Sequence, residues 1–185
     1  MASFYLTFVA VLIAGLGARD QSLIAGLTLA QGQRKALLAV GLFAACATAA
    51  FAAWAGTEIA PMLSPRARAF FAAMALCFAG IESMVLVPRA TPREPTHSLG
   101  AALLALVALQ AVDAARFLVF AIAIARHAPF PAGLAGAIGG CALVYAAWSL
   151  PHWVRGIWLR RARRGVGAVL LLTGFVIGVR TLELV

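Results

Sequence analysis

Long apolar runs separated by short polar segments divide the chain into six stretches, each long enough to cross a membrane as an α-helix. A span needs about 20 apolar residues. The runs predict helices at about 4–30, 36–56, 69–87, 99–125, 132–150 and 165–182. The first run is long for one span, so we expect it to tilt or to break near Gly15 and Gly17.

The longest polar stretch, residues 88–98, carries Pro88, Pro92 and Pro95 and is predicted to be a loop. It divides the chain into a first three-helix repeat, residues 1–87, and a second three-helix repeat, residues 99–185.

The composition agrees with this pattern. Hydrophobic residues make up 64% of the chain and charged residues 11%, and the mean hydropathy is +0.98. A soluble domain has roughly half apolar and about a quarter charged residues. The sequence therefore predicts an all-α integral membrane protein surrounded by the lipid bilayer, and 185 residues leave no room for a soluble domain as well.

The net charge of +9 is explained by the loops and gives no reason to expect a nucleic-acid partner. The loops after predicted helices one, three and five hold nine basic residues: Arg34, Lys35, Arg89, Arg93, Arg155, Arg160, Arg161, Arg163 and Arg164. The loops after helices two and four hold three: Arg66, Arg68 and Arg126. Basic loops face the cytoplasm. We therefore expect a multi-pass protein of a bacterial-type inner membrane, with loop 88–98 in the cytoplasm and both termini on the opposite side.

Polar and charged residues interrupt the first and fourth predicted helices. The segment 106–125 carries Gln110, Asp113 and Arg116, which are spaced to lie along one face of a helix. The first helix contains a counterpart, Arg19–Ser22. A charge at this depth costs a few kcal/mol or more. We therefore expect the two polar stretches to turn inward and to meet.

The two halves of the chain also resemble each other. Cys46–Trp54 is similar to Cys141–Trp148, and Asp20 and Asp113 fall at matching places in helices one and four. Three spans in a repeat invert the second half relative to the first. This architecture is common in transporters, whose sites lie near the midplane where the repeats meet. The predicted fold is six transmembrane helices in two inverted three-helix repeats.

The two polar stretches resemble the motif of the Golgi and thylakoid Ca²⁺/Mn²⁺:H⁺ antiporters, the Gdt-one family, within the LysE-type transporter group. Each repeat of that family opens with Glu-x-Gly-Asp-(Lys/Arg)-(Thr/Ser). Here Gly17–Ser22 and Gln110–Ala115 stand at those places. The aspartate of the motif matches in both repeats and its serine in the first, whereas glycine and glutamine replace the two glutamates.

The resemblance implies a secondary transporter that exchanges Mn²⁺ or Ca²⁺ for protons. It assigns Asp20 and Asp113 as ligands of the transported metal ion. Glu82, a carboxylate in the third helix, is predicted to replace a lost ligand or to relay a proton. The residues predicted to bind the ion or substrate are Asp20, Ser22, Gln110, Asp113 and Glu82, and those predicted to form ion pairs or to gate the site are Arg19 and Arg116.

Two other functions remain open. A LysE-like exporter of a small organic solute would use Arg19 and Arg116 to hold a carboxylate and the aspartates to hold an amine. A transport-inactive scaffold or partner subunit would keep the same charges as a structural ion-pair lock, with Arg19 paired to Asp20 and Arg116 paired to Asp113.

Other features add little chemistry. No nucleophile–base set, HExxH motif or Gly-rich phosphate loop appears in the sequence. We predict neither an enzyme nor a cofactor beyond the transported ion. Small residues in every helix predict close packing, within one chain or between the two chains of a homodimer.

Overall fold

The computed structural model describes residues 2–85 and 97–183, and within these two ranges the chain forms helices separated by short turns. The helices are α1 (Ala2–Gly15), α2 (Arg19–Gln31), α3 (Lys35–Ile59), α4 (Pro65–Val85), α5 (Leu99–Ala111), α6 (Ala114–Arg126), α7 (Pro129–Ser149), α8 (Pro151–Val154) and α9 (Ile157–Glu183). One turn of 3-10 helix, Ala60–Met62, follows α3. The predicted all-α class is confirmed for this part of the chain. The predicted loop 88–98 lies outside the described residues except for His97 and Ser98.

Four of the described helices are long and apolar enough to cross a membrane alone: α3 with its 3-10 extension, α4, α7 and α9. Two further candidates are pairs of shorter helices joined at a sharp bend. α1 and α2 meet at 59°, and α5 and α6 meet at 53°. The helices therefore fit a membrane protein with four to six spans. The predicted six correspond to the case in which each bent pair crosses as one broken span.

Both bends fall within the polar stretches of the sequence. The break between α1 and α2 covers residues 16–18, where the two glycines predict it. The prediction of one continuous helix through 106–125 is wrong, because α5 and α6 are separate helices. Gln110, Asp113 and Arg116 therefore lie around a break rather than along one helical face.

The basic segment 151–164 is more helical than predicted. α8 and the first turns of α9 occupy most of it, because α9 begins at Ile157 rather than near residue 165. Trp153 and Trp158 are exposed on this segment, as expected for tryptophans at the membrane interface. The change of boundary places Arg163 inside a helix, where its side chain takes part in the site described below.

Helix α6 lies at the centre of the bundle, in contact with α1, α3, α4 and α7. The most extensive helix pair is α4 with α9, and α3 packs along α7. A Cβ built on Gly80 would lie 2.6 Å from the backbone nitrogen of Leu171, and one on Gly174 would lie 2.7 Å from the carbonyl oxygen of Ala73. Glycines on both helices therefore allow α4 and α9 to approach backbone to backbone.

Large apolar side chains cover the outside of the bundle. Phe43, Phe51 and Trp54 on α3 are exposed, as are Leu172 and Phe175 on α9. A soluble monomer rarely exposes apolar surface on this scale. These helices are compatible with insertion into a membrane, where lipid would cover the same surface.

Candidate functional site

One side chain, that of Gln21, bonds backbone groups that the break between α1 and α2 leaves without helical partners. Gln21 Nε2 donates a hydrogen bond to the carbonyl oxygen of Gly15 at 2.8 Å, and Gln21 Oε1 accepts one from the backbone N–H of Gly17 at 3.0 Å. Gly17 has φ 72°, a left-handed conformation that favours glycine. Backbone groups freed by a break in a membrane helix must find other partners. Gln21 supplies them, and Asp20 is thereby placed in the first turn of α2.

The break between α5 and α6 places a second aspartate at the start of a helix. Asp113 is the N-cap of α6, and its Oδ2 accepts a hydrogen bond from the backbone N–H of Ala115 at 3.2 Å. Aspartate is among the best N-cap residues. A carboxylate near a helix N-terminus is also stabilised by the helix dipole. Both broken segments therefore place an aspartate at the positive end of their second helix.

The two breaks meet through Gln110. Its Nε2 donates a hydrogen bond to Asp20 Oδ2 at 2.9 Å, and its Oε1 lies 3.1 Å from the hydroxyl of Thr48 on α3. Gln110 is 1% exposed and Asp20 is 9% exposed. The two polar stretches of the sequence are thus joined by a buried hydrogen bond, as the sequence predicts.

The ion pairs differ from those predicted. Asp113 pairs with Arg163 of α9 at 3.3 Å rather than with Arg116, and Arg19 pairs with Glu82 of α4 at 3.2 Å rather than with Asp20. The predicted pairs between sequence neighbours are wrong, because each aspartate bonds the first backbone N–H groups of its own helix while the arginines reach other helices.

Glu82 is shared by two arginines. Its Oε1 accepts from Arg19 and its Oε2 accepts from Arg163. Glu82 is 5% exposed and Arg163 is 3% exposed. Because Arg163 also bonds Asp113, these contacts tie together α2, α4 and α9 and the start of α6.

The sequence prediction missed two residues of the site, Thr48 and, with more ionic contacts, Arg163. It stands among Arg160, Arg161 and Arg164, which are exposed, so the run has the composition of a cytoplasmic basic loop. The signal that could have identified it is helical spacing. Arg163 shares one face of α9 with Gly167 and Gly174, and that face packs against α4.

Arg116 lies apart from the carboxylates. Its Nε donates to the Thr48 hydroxyl at 2.8 Å, and its Nη2 donates to the carbonyl oxygen of Ala45 at 3.3 Å. Within the described chain, no carboxylate oxygen lies within 4.0 Å of it. Thr48 and Gln110 therefore connect Arg116 with Asp20 without a direct ion pair.

We call this set of buried polar residues the polar junction: Arg19, Asp20, Thr48, Glu82, Gln110, Asp113, Arg116 and Arg163. Three carboxylates balance three guanidinium groups in it. Ser22 is buried two residues after Asp20.

Several donors beside Glu82 find no acceptor in the described chain, namely Arg19 Nη2, Arg163 Nε and Nη1, and the hydroxyl of Ser83.

A cavity of about 680 Å³ adjoins the polar junction between α3, α4, α5 and α6. Thr48 and Arg116 are its polar lining residues, and the rest of the wall is alanine, valine, methionine and phenylalanine. Asp20, Glu82 and Asp113 do not line this cavity.

No protein-family model, curated protein or solved structure matches this chain. Across the described residues, no group of three or more His, Cys, Asp or Glu side chains is close enough to hold a metal ion. The resemblance to cation/proton antiporters therefore depends on the two motif-like stretches alone, and the metal-ligand role of Asp20 and Asp113 stays a prediction.

Proposed function

We propose that this chain is a proton-coupled secondary membrane transporter with its site at the polar junction. The observation that carries the proposal is the buried hydrogen bond from Gln110 to Asp20. It joins two broken helices that each begin their second segment with an aspartate. Discontinuous membrane helices whose half-helix ends meet in the core form the substrate and ion sites of many secondary transporters.

The arrangement of the helices supports two inverted repeats. α1 with α2, α3 and α4 have counterparts in α5 with α6, α7 and α9, and both α3–α7 and α4–α9 pack together. Cys46 and Cys141, which occupy matching places in the sequence, have Sγ atoms 3.5 Å apart. Equivalent residues touch in this way when they lie near a symmetry axis between two repeats.

The ion pairs provide a route for coupling to protons. Glu82 and Asp113 both hold Arg163. A proton on either carboxylate removes one of the charges that fix this arginine, so α9 loosens from α4 or from the start of α6. Transport would then alternate between a state in which the ion pairs of Arg163 are intact and a state in which Glu82 or Asp113 is protonated.

The first candidate cargo is a divalent cation, Mn²⁺ or Ca²⁺, exchanged for protons. Both ions prefer oxygen ligands, and the junction offers the carboxylates of Asp20 and Asp113. Gln110, whose NH2 group bonds Asp20, would have to turn its amide over to add an oxygen. Two carboxylates with neutral oxygens and water would bind the ion weakly enough to release it.

The test is flux through proteoliposomes that contain a pH-sensitive dye. Wild-type protein should move protons when Mn²⁺ or Ca²⁺ is added, and Asp113→Asn should abolish the movement. Glu58→Gln is the matched control, because Glu58 is an exposed carboxylate at the end of α3. Absence of metal-driven proton movement in correctly folded wild-type protein would reject this cargo.

The second candidate is export of a small organic solute that bears a carboxylate. The unpaired guanidinium N–H groups of Arg19 and Arg163 favour it, because arginine binds carboxylates through paired N–H donors. Efflux of labelled amino acids from loaded proteoliposomes tests this function. Arg163→Lys keeps the charge but not the forked donors, so it should lower efflux. Equal efflux from both proteins would contradict the assignment.

A further inference from the structure

Arg116 has no ion pair within the described chain, and Asp20, the other charge of the polar junction without one, reaches it only through Gln110 and Thr48. Arg116 is 5% exposed, and its acceptors are neutral, the hydroxyl of Thr48 and the carbonyl oxygen of Ala45. No carboxylate of the described chain lies within 4.0 Å of it. A buried cation that no anion touches is costly even where the net charge of the surrounding junction is zero. Arg116 therefore favours an anionic ligand at this point.

The cavity beside Arg116 has a polar inner end and an apolar mouth. Its buried lining includes Thr48 and Arg116, whereas Phe51 on α3 and Phe78 on α4 are 63% and 52% exposed at its edge. Phe51 and Phe78 lie well inside their helices, so the mouth opens toward the side of the bundle that faces lipid. The volume of about 680 Å³ is in the range of small-molecule sites.

We propose that this cavity binds a hydrophobic monocarboxylate. Such a ligand has one carboxylate group and one apolar part, either a chain or a ring system. The carboxylate pairs with Arg116 beside Thr48, and the apolar part lies among the phenylalanines between α3 and α4. The ligand enters sideways from the bilayer. The site is separate from the carboxylates of the proposed ion path and does not depend on which cargo they move.

With α5 and α6 crossing as one broken span, the depth of Arg116 disfavours the phosphate of a membrane phospholipid as the anion. Arg126 ends α6 ten residues beyond Arg116, which is about 15 Å at 1.5 Å per residue. Half of a hydrocarbon core is also about 15 Å thick. A phospholipid headgroup stays at the edge of that core, whereas the small head of a single-chain carboxylate can follow its chain into the cavity and pair with the guanidinium.

The experiment measures equilibrium binding of radiolabelled decanoate to the protein in nanodiscs, with empty nanodiscs as background and decanol as the uncharged ligand of the same length. We expect saturable binding of decanoate at least about tenfold tighter than that of decanol, a difference of about 1.4 kcal/mol. Equal binding of the two ligands would mean that the cavity is only an apolar gap filled by acyl chains, and would overturn the proposal.

Two variants test the two ends of the cavity. Arg116→Gln removes the charge and should weaken decanoate binding about tenfold or more, as expected for the loss of a charge-assisted pair. Ala47→Phe fills the cavity from an exposed position on its wall and should do the same with Arg116 intact. Ala50→Phe, an exposed change on α3 outside the cavity, is the control and should bind normally. If Arg116→Gln does not fold, unaltered binding by Ala47→Phe still overturns the proposal.

Discussion

At the scale of single residues, Glu82 is the carboxylate of the polar junction that two arginines bond. Arg19 and Arg163 bond its two oxygens, and both Glu82 and Arg163 are buried. Removing one partner of a buried pair leaves the other charge without compensation. The stability of the bundle should therefore depend on Glu82 more than on any carboxylate at its surface.

Glu82→Gln should lower the free energy of unfolding by about 3 to 5 kcal/mol, because Arg19 and Arg163 then lose the negative charge that both of them bond. Thermal unfolding in detergent measures the change. Glu58→Gln, at the exposed end of α3, should leave Tm almost unchanged. Equal Tm values for the two variants would show that the Glu82 ion pairs add nothing to stability.

Gly140 makes room for the guanidinium of Arg116. A Cβ built on this glycine would lie 2.9 Å from Arg116 Nη2 and 3.3 Å from Nη1. Gly140→Ala should displace the guanidinium from the carbonyl oxygen of Ala45 and cost about 1 kcal/mol or more through overpacking. Gly165→Ala is the control, since its Cβ would meet open space. Thermal unfolding gives the Tm of each variant. A Gly140→Ala protein with the same Tm as Gly165→Ala would contradict the prediction.

At the scale of helices, the start of α6 combines two roles in one side chain. Asp113 caps the helix through Ala115 and carries the charge that pairs with Arg163. Asparagine caps a helix about as well as aspartate but carries no charge. Substitutions at this position therefore separate capping from ion pairing.

Asp113→Asn and Asp113→Ala should both lose proton-coupled transport, because both lack the carboxylate. Asp113→Ala should be less stable than Asp113→Asn by about 1 kcal/mol, the usual value of an N-cap. Thermal unfolding compares their stabilities, and dye-monitored flux compares their activities. Identical stability would mean that the N-cap hydrogen bond of Asp113 does not stabilise the start of α6.

The two breaks differ in how far sequence can predict them. Gly15 and Gly17 mark the first, because glycine is the residue best suited to a left-handed turn. The segment around Asp113 has no glycine or proline. Its apolar flanks therefore suggest one continuous helix, and the break depends on side-chain capping and on tertiary contacts with α3 and α9.

The members of the site were predictable to different degrees. Asp20, Gln110, Asp113 and Glu82 are polar residues inside apolar runs, and the structure buries all four. Their partners were not predictable, because ion pairs between helices depend on how those helices pack. Arg163 looked like a basic loop residue because the start of α9 cannot be located from its composition.

At the scale of the whole molecule, the basic residues predict the orientation in the membrane. Arg163 is turned into the polar junction and cannot act as a loop charge, but eight of the nine basic residues assigned to cytoplasmic loops remain, against three on the other side. The positive-inside bias therefore persists.

We predict that loop 88–98 is cytoplasmic and that residue 185 lies on the opposite side. A reporter active only outside the cytoplasm should be active when fused after residue 185 of the full chain and inactive when inserted into loop 88–98. The reverse pattern would contradict the predicted topology. It would place Arg19 and Arg163, the arginines that bond Glu82, near the other face of the membrane.

The most direct test of a transporter with its site at the polar junction is whether that junction is reached by water from both sides of the membrane in turn. Ser22→Cys is introduced into a protein whose Cys46, Cys77 and Cys141 are replaced by alanine. A membrane-impermeant maleimide is then applied from each side at several pH values. A transporter with this site should be labelled from either side, with a ratio that changes with pH as the ion pairs break. Labelling from neither side, or from one side only at every pH, would contradict this function and favour a structural ion-pair lock.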